Sequence, residues 1–389
     1  MRLVLALAAS LAAAVPLVPS APAHAFQYSA FVESMWADAK AKGVSRATFE
    51  RATKGLTVNA KLKRLTVKQP EFASPVGKYY SKRMSKARVQ GGVRKVRANR
   101  KLLARIEKRT GVDPYIVAAI WGLETSYGGY IGKLDVFRSL STLAFYGYRD
   151  DFFRKEFVDA LVMLQKEKLS RKRMRGSWAG AVGQTQFIPS SFLKHAVDFD
   201  RDGDRDVWRS EADALGSTAN YLKNYGWKAD LPWGFAIRAP KTVDAMTRSF
   251  TDWRKRGVKR LDGKALPKRG EATLFYPAGS EGQAFLVTSN FEAIKAYNYS
   301  DAYALVVAHL ADRLRGGNRV RLDWPGTVPL TKSRRIALKK LLAKRGFGLD
   351  TRDGRITPDV RAAIRDVQAE LGLVRDGHPD AGLLKRLGG

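Results

Sequence analysis

The sequence predicts a mainly α-helical protein with a small strand-containing insert and a small helical module at its C-terminus. Three observations carry that prediction. From Phe26 to about Arg321, apolar residues recur every three or four positions, the period of helices with a buried face. Between Pro232 and Asn290 the chain is richer in glycine, proline and short apolar alternations, the pattern of strands. The run Asp323-Trp324-Pro325-Gly326-Thr327-Val328-Pro329 then reads as a linker, with a second helical pattern over residues 330–389. At 389 residues and 45% hydrophobic the chain is long enough for more than one core, and zero cysteines remove disulfides, thiolate metal sites and cysteine nucleophiles together.

Residues 1–25 read as an export signal. Arg2 supplies the positive end, Leu3 to Leu17 is apolar without a charge, and Ala23-His24-Ala25 offers a small-x-small cleavage pattern before Phe26. Pro16, Pro19 and Pro22 break the stretch below the roughly 20 residues of a spanning helix, which argues against a membrane anchor. No cysteine follows the run, so a lipid anchor is excluded. The expected chain is periplasmic or secreted, with the signal removed.

Within residues 26–322, a basic segment carrying Val96, Leu103 and Ile106 stops at Gly111, a residue suited to a left-handed C-cap. Asp113-Pro114 starts the next helix, Asp as cap and Pro in the first turn. The insert contains Ala272-Thr273-Leu274-Phe275-Tyr276 and Ala284-Phe285-Leu286-Val287 as its strand runs. Beyond the linker at 323–329, Thr357 and Pro358 cap a helix with Val360, Ile364, Val367 and Leu371 on its apolar face. Gly348-Leu349 leading to Asp353-Gly354 is echoed by Gly372-Leu373 leading to Asp376-Gly377, a near-repeat in which each copy is a turn joining helices.

Basic residues number 70 against 37 acidic ones, a formal charge of +33, and such a chain implies an acidic partner. The basic residues are spread along the chain, as in Lys95 to Lys108 and Lys166 to Arg175, and no nucleic-acid motif focuses them. For an exported protein the nearest polyanion is the cell envelope.

Chemistry is concentrated in two segments. Ile116 to Gly128 is a hydrophobic helix with one carboxylate, Glu124, near its end. A lone acid in such surroundings is costly to ionise, so it is expected to keep its proton near neutral pH, as a general acid requires. The plainer reading is a carboxylate tied to a helix or an arginine, and local pattern does not separate the two. The second segment is Gly176 to Ser191, where small residues and the amides of Gln184 and Gln186 permit close approach of a hydroxyl- and acetamido-bearing ligand. A tightly packed helix junction is the competing reading.

Together the two segments resemble the lytic murein transglycosylase B family. The resemblance runs from about Phe26 to Leu314 through Gln69-Pro70-Glu71-Phe72, Gly122-Leu123-Glu124-Thr125 with Tyr127-Gly128, Ser141-Thr142-Leu143-Ala144, the Gly176 to Ser191 stretch, Ala219-Asn220-Tyr221-Leu222, and Ser289-Asn290-Phe291 with Tyr297-Asn298. It implies a lysozyme-like helical catalytic domain that cleaves the bond between N-acetylmuramic acid and N-acetylglucosamine in peptidoglycan. One glutamate acts as acid and then base while the muramic C6 hydroxyl attacks C1 and leaves a 1,6-anhydro end. By motif position Glu124 is the implied acid/base, and Ser177, Gln186, Tyr221, Tyr297 and Asn298 are implied to line the sugar groove. Where the family commonly has paired arginines, this chain reads Tyr148-Arg149-Asp150, so Arg149 is the one retained charge for substrate. Asp135, Asp150 and Asp151 are close enough in sequence to keep a hydrolytic muramidase as the alternative. A non-catalytic wall-binding protein is the alternative from another class.

Val197 to Trp208 matches the start of an EF-hand loop, with Asp198, Asp200, Asp202 and Asp204 at alternate positions and Gly203 sixth. Arg209 stands twelfth in place of the bidentate glutamate, leaving Asp213, or failing that Glu211, to close a structural Ca²⁺ site; a loop neutralised by its own arginines is the competing reading. No cofactor is expected for catalysis. The C-terminal residues resemble the small three-helix peptidoglycan-binding domain of wall hydrolases through Asp353-Gly354-Arg355-Ile356-Thr357, Val367-Gln368 and Asp376-Gly377, with Lys339 where glutamine is usual. The expected partner is peptidoglycan, with no nucleic acid, no membrane anchor after cleavage, and a monomeric chain.

Overall fold

The computed structural model describes residues 21–66, 74–238, 245–318 and 320–388. Residues 1–20 of the expected export signal, and the Gln69-Pro70-Glu71-Phe72 marker, lie outside the described residues.

The centre of the molecule is the helix Pro114–Thr125, in which Ile116 through Leu123 are all buried. A helix that is apolar all round has to be surrounded, and here the neighbours are the helices Lys86–Ala98, Arg100–Thr110, Glu211–Asn224 and Asp301–Leu314. Its start follows the sequence. The helix before it ends at Gly111 with φ +71, and Asp113 Oδ1 accepts the Tyr115 N–H at 2.9 Å ahead of Pro114. Its end is a tight left-handed turn through Ser126 (φ 51), Tyr127 (φ 61) and Gly128 (φ 81).

That turn drives the Tyr127 ring back between two helices. A Cβ on Gly92 would lie 2.1 Å from the Tyr127 hydroxyl, and one on Gly122 would lie 2.4 Å from its Cζ. The hydroxyl donates to Arg88 O at 3.1 Å. Glycine is required at both positions by the close approach of an aromatic ring.

A second core fills the N-terminal side, where the helices Val136–Phe145 and Asp150–Lys166 pack together and Tyr28 reaches Ser141 Oγ at 2.6 Å. The short strands β1 (Leu134–Asp135) and β2 (Arg175–Gly176) pair antiparallel and join the loop after Glu124 to the Gly176 segment. The insert is a five-stranded antiparallel sheet in the order β4-β6-β7-β3-β5, made of β3 (Gly234–Arg238), β4 (Thr247–Ser249), β5 (Lys259–Arg260), β6 (Glu271–Phe275) and β7 (Ala284–Val287). Both expected strand runs are present, as β6 and β7.

The C-terminal module has the helices Lys332–Lys344, Pro358–Glu370 and Ala381–Arg386 around Leu338, Leu342, Val360, Ile364, Val367, Leu383 and Leu384. The near-repeat is real in three dimensions. Gln368 Nε2 donates to Asp376 Oδ1 at 2.7 Å, and Lys339 Nζ, in the equivalent place, reaches Asp353 Oδ1 at 3.0 Å. Each aspartate also accepts the N–H two residues on, from His378 and Arg355 respectively.

Reading 323–329 as an isolating linker is corrected by the structure. Trp324 stacks on Phe285 at 6.1 Å and lies 5.5 Å from Tyr80, Asp323 O accepts from Gln283 N at 2.9 Å, and Thr327 Oγ1 donates to Ala278 O at 3.1 Å. Pro-Gly chemistry marks the turn correctly, but Trp324 is too large and apolar to leave in water, so the segment is strapped to the catalytic side. The module docks as well, with Ser280 N donating to Asp376 Oδ2 at 2.9 Å.

At an open mid-helix site, Gly→Ala stabilises by about 0.5–1 kcal/mol. Gly122→Ala reverses the sign, because its methyl group overlaps the Tyr127 ring, and a loss of about 1–3 kcal/mol is expected by thermal or urea unfolding.

Candidate active site

Glu124 is half-buried in the last turn of the central helix. Its Oε1 accepts the phenol O–H of Tyr303 at 2.7 Å, from the first turns of the helix Asp301–Leu314. Burial first, and the Glu124 carboxylate next, push the Tyr303 phenol well above its ordinary range, so it stays protonated and remains the donor. Tyr297 is raised by the same two causes, and its ring lies nearly parallel to that of Tyr303 with centroids 6.4 Å apart.

The Gly176 segment closes against the end of this helix. Trp121 Nε1 donates to Gln184 Oε1 at 2.8 Å, and Thr125 Oγ1 donates to Gln184 O at 3.1 Å. Glycine here serves backbone packing. A Cβ on Gly176 would meet Ala181 O at 2.1 Å, and one on Gly183 would meet Val207 O at 2.6 Å. The glycines of this segment therefore pack as a junction, and Gln184 ties it to Trp121 and Thr125 on either side of Glu124 in the sequence.

The expected groove residues divide. Ser177 is half-buried and its Oγ accepts Ala181 N at 3.1 Å, leaving its hydroxyl proton to donate. Gln186 spends its Nε2 protons on Ile131 O at 3.2 Å and Gly183 O at 2.9 Å, so toward a ligand it offers its Oε1 as an acceptor. Tyr297 donates to Thr185 O at 2.7 Å. Asn298 follows it, half-buried in the same turn. Tyr221 is corrected from a groove residue to a buried support: it is 6% exposed, donates to Ala296 O at 2.8 Å, and carries the Tyr297 ring at 4.8 Å. Arg149 has φ +49 and lays its guanidinium 4.0 Å from the Phe152 ring, so its charge is stacked rather than extended.

Of the carboxylates that kept hydrolysis open, Asp135 is taken up in capping Arg138 N at 3.0 Å and pairing with Arg171 at 3.2 Å. Asp151 is exposed at the start of its helix, and the Asp150 side chain lies outside the described residues.

The aspartate loop gathers four carboxylates. One oxygen each from Asp198, Asp200, Asp202 and Asp213 lies within 4.8 Å of the others, a hard all-oxygen set that fits Ca²⁺. Asp204 stands outside this group, which corrects its place among the ligands; the seventh position of such a loop supplies its backbone carbonyl instead. Asp213 is fully buried and pushed up to about 6, by burial first, although Phe199 N at 2.7 Å and Asp206 N at 2.8 Å donate to it.

Sequence reasoning did not single out Tyr303. It lies 179 residues from Glu124, and its local signal is only its position six residues beyond Tyr297, past a capped helix start.

The Glu124 carboxylate at the end of the buried helix is thus held by the Tyr303 phenol, with the Tyr297 ring stacked on that of Tyr303. The chain belongs to the family described as the transglycosylase SLT domain, whose model matches residues 27–312, and residues 331–387 match that of the putative peptidoglycan-binding domain. Membrane-bound lytic murein transglycosylase B of Escherichia coli (strain K12) is 33% identical over 248 residues, covering 60% of this chain and 65% of that protein, so the match spans less than two thirds of its length. Among solved structures, SltB3 from Pseudomonas aeruginosa in complex with NAG-anhNAM-pentapeptide is 42% identical with a TM-score of 0.80, covering 92% of this chain and 99% of that one. Escherichia coli lytic transglycosylase Slt35 in complex with calcium is 26% identical with a TM-score of 0.62, covering 75% and 94%.

Glu124→Gln keeps the shape and removes the transferable proton. Turnover on peptidoglycan is expected to fall at least about a hundredfold while binding to insoluble wall persists, and near-normal turnover would remove Glu124 from the chemistry.

Proposed function

We propose that this protein is an exported lytic transglycosylase that cleaves the MurNAc-GlcNAc β-1,4 bond of peptidoglycan and leaves 1,6-anhydromuramic ends. The observation that carries the reading is Glu124 itself: one carboxylate hydrogen-bonded by the Tyr303 phenol at the end of the central helix, in a chain whose family and 42%-identical relative act on this polymer. Glu124 gives its proton to the glycosidic oxygen as the C1–O bond breaks. The muramic C6 hydroxyl then bonds to C1 and returns its proton to Glu124. The sugar supplies the nucleophile, so no second carboxylate is needed, and no water is consumed. Tyr303 keeps the carboxylate oriented, and Ser177, Tyr297, Asn298 and the Gln186 Oε1 are the groups assigned to the sugar substituents. Tyr221 acts from behind Tyr297.

Export with removal of residues 1–25 rests on the sequence pattern of Arg2, the apolar run Leu3 to Leu17 and Ala23-His24-Ala25. No helix among the described residues is long and apolar enough to cross a membrane. The domains are assigned as 26–322 for catalysis, 323–329 as a strap, and 330–389 for wall binding. The dispersed charge of +33 draws the whole chain to the anionic wall.

We assign the aspartate loop to a structural Ca²⁺, held by Asp198, Asp200, Asp202 and Asp213 and supporting the helix Glu211–Asn224, whose first turn carries Asp213. It supplies no catalysis.

Digestion of purified peptidoglycan in heavy-oxygen water tests the reaction. Anhydro ends, one water lighter than lysozyme products, unlabelled and resistant to borohydride, are expected; labelled, reducible ends as the main product would make the enzyme a muramidase.

Added Ca²⁺ is expected to raise the melting temperature, by the equivalent of about 2.7 kcal/mol at a hundredfold excess over Kd. Since Asp213 must lose its proton to bind, and burial holds it up to about 6, the shift should shrink as pH falls from 7 to 5. Asp198→Ala with Asp202→Ala should abolish it, and a parent protein that does not respond would leave the loop self-neutralised.

A further inference from the structure

The segment Lys295–Tyr303 connects the helix Ser289–Ala296 to the helix Asp301–Leu314 and carries Tyr297, Asn298 and Tyr303, the last of which donates to Glu124. The C-terminal module grips it at three places. Lys295 Nζ donates to Ile356 O at 3.1 Å, the Arg355 guanidinium lies 3.9 Å over the Tyr299 ring, and Arg361 Nη2 donates to Asp301 Oδ2 at 2.6 Å. Arg361 is itself fixed, 9% exposed, with Nη1 donating to Gly377 O at 3.0 Å and its guanidinium 4.9 Å from the Phe275 ring.

Asp301 opens the helix that delivers Tyr303. Its other oxygen pairs with Lys295 at 2.9 Å. Burial alone would raise this carboxyl, yet Lys295 and Arg361 beside it hold it well below the usual carboxylate range. Two residues on, Tyr303 N donates to Ser300 Oγ at 3.3 Å and the Tyr303 phenol reaches Glu124. A cation of the other domain therefore pairs with the first residue of this helix, next to its Ser300 cap.

We propose that the C-terminal module is a positioning element for catalysis as well as a wall-binding module. Arg361 acts through Asp301 on Tyr303, and through Tyr303 on Glu124, so turnover depends on docking even when the substrate is soluble. This rests on Glu124 being the acid. A displacement of about 1 Å at a catalytic group can cost on the order of a hundredfold in rate, and loosening the first turn of the Tyr303 helix is a displacement of this kind.

The test is a double-mutant cycle in the full chain on soluble, uncrosslinked glycan strands, with kcat and KM measured separately and retention on insoluble wall measured in parallel. Arg361→Ala is expected to lower kcat by about tenfold to a hundredfold, leave KM within about twofold, and leave wall retention unchanged. Arg361→Lys should recover part of the rate. In a Tyr303→Phe background, Arg361→Ala should cost nothing further, because the hydroxyl through which it acts is gone. Unchanged kcat in Arg361→Ala, or losses that multiply with those of Tyr303→Phe, would overturn the proposal. If Arg361→Ala does not fold, the same cycle with Arg361→Gln, which keeps the stem and removes the charge that pairs with Asp301, decides by the same criteria. Failure of the underlying reading is distinguishable: it appears as retained activity in Glu124→Gln, whatever the cycle gives.

Discussion

An apolar helix buried on every side has to stop where it meets its first carboxylate, and the rest of the structure is arranged around how this one stops. Glu124 can sit at the end of Pro114–Thr125 only if the chain leaves at once and the exposed polar groups of the last turn find partners. The left-handed run Ser126-Tyr127-Gly128 provides the exit. Thr125 Oγ1 accepts Gly128 N at 3.1 Å while donating to the Gln184 carbonyl, which draws the Gly176 segment against the helix end. Tyr303 completes the enclosure from the far side. The surroundings of Glu124 are thus a consequence of terminating a buried helix, with the same hydrogen bonds closing the helix end and holding the carboxylate's neighbours.

What the sequence disclosed was local. Asp113-Pro114, Gly111 and Thr357-Pro358 mark helix boundaries within a few residues of chain, and the structure keeps each of them. The strand runs of the insert and the repeated Asp-Gly turns of the module were legible for the same reason. Glu124 stood out as the single charge in an apolar run. What stayed hidden depends on direction or on distance along the chain. A glutamine in a glycine-rich loop does not announce whether its amide protons face a ligand or, like those of Gln186, the carbonyls of Ile131 and Gly183. A tyrosine in a family motif does not reveal that it lies behind another, as Tyr221 does. The Tyr303 contact and the docking of the module join residues whose separation in sequence leaves no periodic trace.

The basic residues have a use beyond attraction to a polyanion. Lys95 lies 5.0 Å from the Trp121 ring, Arg105 and Arg109 lie 5.5 and 5.3 Å from Phe199, and Arg205 lies 5.1 Å from Phe192. In each pair the charged group itself lies over the ring, where the negative face of the π-system attracts it. A chain with 70 such residues can therefore be strongly cationic outside and still close its cores.

The Tyr127 ring, seated between Gly92 and Gly122, limits the order in which this protein can change. Any side chain arriving first at either glycine meets the ring, whereas a smaller residue arriving first at 127 opens a void between the two helices. The three positions are locked as a set: each substitution is harmful until another has already been accepted. A lineage can drift freely over the charged surface and still hold these three residues, because every single-step path away from them descends in stability before it rises.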